Sequence, residues 1–440
     1  MKAIKRAVAV LLTLVLLSST FVCFAAEGEK QYHEYKQVML LGDSEASGFT
    51  DYGDEMSEFT RVDDSYAAYV ADDLGAEFLP MACPGFRTIE LRCMLDDTYN
   101  PEGDPYLFTQ VPRTPKDEIL AKSPEMRKGI AESDLIIIGI GGNDWGAYLG
   151  WTLADVELEN QLPEEYKTAL RDFLKNATFE DDIIGKIVDL ADYLNALDDI
   201  AAALPEAINY AFSNLRTNWD WIMNYIYTNN PDVTVAAIGM FPTYLKTEEG
   251  APDVVAEPDA MSKIVEDAII DYGNKHMLDF QEKYGYLFVD TYGTVVEVCH
   301  PTVAGHRSIA DKILAALPDA RFDLTDVKVS DAEYKAVEYM YVNGFMTASE
   351  NKTFDGDAKI TKEEYSAAVK ALGSSVPTIG LINGVSVFEL KLAAFMLEKD
   401  KGIMNFVTFI YEIGQLFSTR TAFETVTKTQ VAVALYEAVV

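Results

Sequence analysis

Cations are scarce in this chain: its 440 residues carry 36 lysines and arginines against 71 aspartates and glutamates, a formal net charge of −35. Such a surface has no bulk attraction for nucleic acid or for an anionic membrane, and neither is expected as a partner. Acidity of this degree instead keeps a chain soluble. Cysteine and histidine are equally sparse, with four of each. No Cys-x-x-Cys pair or neighbouring histidine cluster accompanies the thiols, which speaks against the common zinc modules. No metal or other cofactor is expected. Past residue 25 no apolar run is long enough to cross a bilayer, so no integral membrane segment is expected there.

The N-terminus supplies what the rest lacks. Lys2, Lys5 and Arg6 precede an apolar run from Ala7 to Leu17, and Cys23 and Ala25 put small residues where a signal peptidase reads. The pattern predicts an export signal over residues 1–25, with the mature chain beginning near Ala26. A retained anchor is the competing reading, for which the run is short. Val22 before Cys23 argues against a lipoprotein. Removing residues 1–25 takes away three cations and no anions, moving the formal charge from −35 to −38. Cys83, Cys93 and Cys299 remain, which allows one disulfide with a free thiol, or none.

At this length two domains are expected. Short apolar runs at Gln37–Leu41, Glu77–Met81, Leu135–Ile140, Val233–Met240 and Leu287–Asp290 alternate with helical stretches. That alternation predicts an α/β fold with a parallel sheet, whose ligands bind beyond the carboxyl ends of the strands. Ser44, Gly85, Asn143 and His300 each follow a predicted strand. The polar stretch Asn100–Asp117 reads as a long loop over that edge. Residues 151–203 read as a helical insertion, and the crossover helix is expected to begin after Pro205. Further helices are expected over Ala260–Lys283 and His306–Leu317.

Two segments carry chemistry. Val38-Met39-Leu40-Leu41-Gly42-Asp43-Ser44 is an apolar strand running into a turn, and Glu297-Val298-Cys299-His300-Pro301 holds a carboxylate and an imidazole three residues apart. A serine hydroxyl is a poor nucleophile until a positioned base takes its proton, so the pairing predicts acyl chemistry. In Pro84-Gly85-Phe86-Arg87-Thr88, Gly85 permits close backbone approach. In Gly141-Gly142-Asn143-Asp144, Asn143 can aim a carboxamide N–H at a developing oxyanion. Singly, each block has a plain alternative: a turn glycine, or a polar residue closing a tight turn.

Jointly, over Tyr35–Leu317, the four blocks resemble the SGNH hydrolase family, also called GDSL esterases and lipases. The resemblance implies a flavodoxin-like three-layer sandwich with a five-stranded parallel sheet, occupying about residues 32–320. It implies Ser44 as nucleophile and His300 as general base. The Ser44 and Gly85 N–H groups with the Asn143 side chain would form the oxyanion hole. Where the family usually has aspartate, three residues before the histidine, this chain has Glu297; Asp290 is the substitute. Trp145 and Tyr148 are expected at the mouth of the pocket for substrate binding. Asp43 is expected to brace its turn, His306 to cap its helix, and His276 to lie at the surface. The implied activity is hydrolysis of carboxylic esters, with short acyl chains on carbohydrate or small esters favoured over lipid. An acyltransferase and a non-catalytic cell-surface binding protein are the rival readings.

From about Asp326 to Val440 the texture is helical. Ala336-Val337-Glu338-Tyr339-Met340, Gly344-Phe345-Met346-Thr347, Phe354 and Ile360-Thr361-Lys362-Glu363-Glu364 resemble an S-layer homology repeat, and Val426-Thr427-Lys428-Thr429-Gln430 resembles the end of another. The resemblance implies a cell-wall polymer as partner and a secreted or surface-associated protein of a Gram-positive bacterium. The family's usual arginine is Lys362 or Lys428 here, which keeps the charge and loses the bidentate fork. A calcium loop is the rival, but Thr353 and Ala358 stand where a ligand and a glycine are required.

Overall fold

The computed structural model describes residues 30–48, 58–101, 104, 107–108, 114–144, 198–241, 260–294, 296, 300–329, 331–374, 384–397, 412, 415–416 and 421–440. The export signal, Trp145, Tyr148, insertion residues 151–197, Glu297 and Cys299 lie outside them. The chain divides into two units, Tyr32–Leu317 and Pro318–Val440, the latter together with the described residues before Tyr32.

The first unit is built on a parallel sheet of five strands: β1 Gln37–Gly42, β2 Glu77–Ala82, β3 Leu135–Gly139, β4 Thr234–Ile238 and β5 Leu287–Val289, in the order β2-β1-β3-β4-β5. This is the flavodoxin-like order, whose switch point falls between β1 and β3. Central β3 reads Leu-Ile-Ile-Ile-Gly and every residue is buried, as a strand covered on both faces must be. Each of its large side chains contributes about 1.5–3 kcal/mol on burial. Truncating Ile137, fully buried, to alanine would cost about 2–5 kcal/mol.

Helices cover both faces. Helix α1 is the single turn Ser44–Ser47, and α2 spans Tyr66–Leu74. Then come α3 Thr88–Leu95, α4 Lys116–Leu120, α5 Ser123–Glu132, α6 Asp198–Asn229, α7 Ala260–Tyr284 and α8 Val303–Ala316. Helices α2 and α8 pack together, while α3, α6 and α7 form the opposite layer. Helix α6 is continuous through Pro205, so the boundary expected there is not a boundary. A proline removes one N–H from the ladder, and the remaining bonds of a long helix carry it through.

The second unit contains α9 Tyr334–Val342, α10 Lys362–Ala371, α11 Val387–Leu397 and α12 Lys428–Val439. They enclose a core including Val337, Met340, Phe354, Tyr365, Ala393, Val431 and Leu435. Three helices begin on a reciprocal cap. Thr361 pairs with Glu364 and Thr427 with Gln430. Ser386 Oγ donates to Glu389 (2.8 Å) and accepts the Glu389 N–H (3.2 Å). Each pairing satisfies donors that a helix start leaves open. The three segments meet through their backbones: Ile360 N–H donates to Val426 O (3.3 Å) and Val426 N–H to Val385 O (3.1 Å). Thr361 and Thr427 fall in the two segments that resemble S-layer homology repeats, and Ser386 falls in neither.

Candidate active site

The nucleophile turn is shaped by close approach. Gly42 has φ +151°, and a Cβ there would lie 2.0 Å from the carbonyl oxygen of Gly139. Only glycine lets the end of β1 press against β3 this way. Asp43, 2% exposed, caps α1 by accepting the Glu45 N–H on Oδ1 (3.1 Å). Burial pushes its carboxyl up to about 7, against the pull of those N–H groups and of His300. Bracing is therefore what its geometry provides.

Ser44 Oγ and His300 Nε2 stand 2.9 Å apart, although 256 positions separate them in sequence. Next to the imidazole, Val296 and Pro301 form an antiparallel bridge. Just beyond, Thr302 caps α8 by accepting the Gly305 N–H (3.0 Å). The cap is thus Thr302 and not His306. His306 lies inside the helix, 1% exposed, with neither ring nitrogen hydrogen-bonded. Burial, then the nearby His300, depresses its pKa to about 4. Asp290, the suggested substitute for Glu297, is exposed and accepts the Tyr292 N–H (2.9 Å). His276 is half-buried on α7, its Nδ1 3.2 Å from Arg216 Nη1.

The donors expected to form the oxyanion hole are held from below. Gly85 adopts φ +82°. Among the described residues, neither its N–H nor that of Ser44 donates a hydrogen bond. Asn143 Nδ2 donates one N–H to Phe86 O (3.0 Å), which ties it to the Gly85 turn and leaves its second N–H for another acceptor. Asp144 locks the same two loops together. It accepts the Thr88 N–H (2.9 Å) and the Thr88 hydroxyl, and burial pushes its carboxyl up to about 7. Beneath the turn, fully buried Arg87 pairs with Glu90 (2.5 Å) and Asp104 (3.2 Å), and Glu90 also accepts the Phe108 N–H (2.9 Å). Part of the expected loop over the catalytic edge is thereby fastened to the Gly85 turn. Arg87, Thr88 and Asp144 stand in the same two sequence blocks as Gly85 and Asn143, and only the structure gives them a role. A charged side chain just after a tight glycine turn was the available sign. Cys83 and Cys93 are both free thiols, which settles that pair.

The S-layer homology domain model matches residues 323–366. No curated protein matches the chain. Among solved structures, the chain is similar to an extracellular lipase from Streptomyces rimosus, at 16% identity and a TM-score of 0.36, covering 64% of this chain and 99% of that one. It is also similar to phospholipase A1 from Streptomyces albidoflavus, at 16% identity and a TM-score of 0.35, covering 63% and 98%. A family two carbohydrate esterase from Clostridium thermocellum, solved with cellohexaose, matches at 14% identity and a TM-score of 0.31, covering 66% and 64%.

Proposed function

We propose that the chain is an exported serine esterase that hydrolyses carboxylic esters through an acyl-enzyme on Ser44. The single observation carrying this reading is the 2.9 Å contact between Ser44 Oγ and His300 Nε2 at the switch point of a parallel sheet. Neutral His300 takes the Ser44 proton as Oγ forms a bond to the ester carbonyl carbon. The carbonyl π pair moves onto oxygen, where the Ser44 and Gly85 N–H groups and the second Asn143 N–H receive it. As the tetrahedral species collapses, the C–O bond to the alcohol breaks and His300 returns the proton to the departing oxygen. Water then repeats the sequence, releasing the carboxylic acid and restoring Ser44.

Glu297 would orient His300, and Trp145 and Tyr148 would line the mouth. Short acyl chains on carbohydrate or small esters are the favoured substrates. Acyl transfer to an alcohol would use the same residues, and product analysis with an added acceptor separates the two. The test of the main reading is labelling by a fluorophosphonate probe, expected on Ser44 and absent in Ser44→Ala. An unlabelled wild-type chain would sink it and leave the binding-scaffold reading.

The S-layer homology match at 323–366 supports a second role for the C-terminal unit, holding the protein to a cell-wall polymer. Sedimentation of the full chain with purified cell walls checks that role. A chain that stays in the supernatant speaks against it.

A further inference from the structure

Gly85 and Asn143 sit on different loops, and a directed chain of hydrogen bonds runs up to the second of them. It begins at Arg92 on α3, whose guanidinium lies over the rings of Tyr99 (3.8 Å to the centroid) and Trp221 (4.9 Å). A guanidinium only donates. Arg92 Nη1 meets Asn218 Oδ1 at 3.2 Å, and the Tyr99 hydroxyl meets the same oxygen at 3.4 Å. The buried Asn218 carboxamide therefore turns its oxygen to that side and its Nδ2 to the other, where it donates to Thr88 Oγ1 (3.5 Å).

The Asn218 N–H takes a lone pair of the Thr88 hydroxyl and leaves the hydroxyl proton for Asp144 Oδ1. The Thr88 N–H goes to Asp144 Oδ2 (2.9 Å). One residue thus engages both oxygens of the carboxyl, and both partners are buried. Every donor in the chain runs the same way, an arrangement in which each bond polarises the next.

Helix capping is the plain account of this contact. Thr88 opens α3, and an acceptor on its N–H satisfies a helix start. One oxygen suffices for that. The second bond also fixes the plane of the carboxyl, and Asp144 directly follows Asn143. Asn143 has its own tie to Phe86 O (3.0 Å), and a carboxamide held by one bond can still pivot about it.

We infer that Thr88 is a positioning residue for the oxyanion hole. Its hydroxyl, aimed by Asn218, sets the Asp144 carboxyl and with it the angle at which Asn143 presents its second N–H. This rests on the esterase reading of the same site.

Thr88→Val keeps the shape and the backbone N–H and removes only the hydroxyl. With p-nitrophenyl acetate its kcat is expected to fall about tenfold while KM stays within about twofold. Thr88→Ser should recover most of that loss. A double-mutant cycle separates positioning from general damage. Added to Asn143→Ala, Thr88→Val should lower kcat by less than about twofold more, because the group it aims is gone. The same tenfold loss in both backgrounds overturns the inference, as does an unchanged kcat in Thr88→Val alone.

Asn218→Asp offers Thr88 only acceptors, draws the hydroxyl proton away from Asp144, and should lower kcat about fivefold by the same route. It takes the place of Thr88→Val in the cycle if melting curves show that variant unfolded. A wild type that hydrolyses the ester but is indifferent to these changes loses this inference and keeps the esterase reading. A wild type that neither hydrolyses the ester nor takes a fluorophosphonate label on Ser44 loses both.

Discussion

The two units differ in how completely their buried polar groups are paired. In the C-terminal unit Glu338 accepts the Asp319 N–H (2.7 Å) and the Tyr334 hydroxyl (2.8 Å), Asp319 holds Arg321 (2.6 Å), and fully buried Ser386 and Glu389 cap one another. In the sheet unit, side-chain atoms of Tyr35, Glu58, Tyr66, Arg92, Asn214, His276 and His306 are buried without partners, and among the described residues all such atoms fall there. Three of the eight belong to Tyr66 and His306, behind the nucleophile. Buried polar atoms are ordinarily paired, and exceptions call for a reason. The C-terminal unit closes its network among its own residues. In the proposed esterase, the unpartnered atoms of Tyr66 and His306 would be polarity left uncommitted behind the nucleophile.

That contrast can be broken experimentally. The largest effect expected is Ser44→Ala, which should lower ester turnover about a million-fold. The melting temperature should hardly move, because a half-exposed hydroxyl is lost. Asn143→Ala should follow, with kcat reduced about 10²–10³-fold. Single-turnover kinetics would place that loss in the chemical step and not in binding.

Next comes pH-dependent stability. The unfolded imidazole of His306 takes a proton near pH 6.5, whereas the folded one waits until about 4. Stability is therefore full above pH 6.5 and falls as pH drops toward 4, by about 3 kcal/mol in total. His306→Phe should flatten that window, read from urea midpoints at pH 7 and pH 5. Asp144 has the opposite sign. Its carboxyl, pushed up to about 7, favours the fold most at low pH and loses that advantage as pH rises through 7. The smallest effects should come from the caps of the other unit. Ser386→Ala should cost about 2 kcal/mol and the more exposed Thr361→Ala about 1 kcal/mol, measured by thermal unfolding.

The sheet was legible because its inner strands β1, β3 and β4 are buried on both faces and read as continuous apolar runs. Leu135-Ile136-Ile137-Ile138 has no polar position to mislead. The contact between Ser44 and His300 was legible because both follow strands and such sheets bind ligands at that edge. Less was visible where one residue's environment depends on another element. His306 reads as a helix-start residue in sequence, yet α2 buries it through Tyr66. Pro205 reads as a break, and only the length of α6 overrules it. The cap at Ser386 had a usable signature, serine three residues before glutamate ahead of an apolar run. Val387 stands there where the other two starts have Lys362 and Lys428. The pairing of Arg87 with Asp104 joins residues whose spacing carries no periodic signal.

The guanidinium of Arg87, sealed under the Gly85 turn between two carboxylates, has a consequence for selectivity. In the proposed esterase it would stiffen one bank of the opening from inside, so that an incoming molecule would find nothing there to push aside. Branches aimed at that bank would be sorted by outline alone, and loosening it would demand breaking charges that water cannot reach.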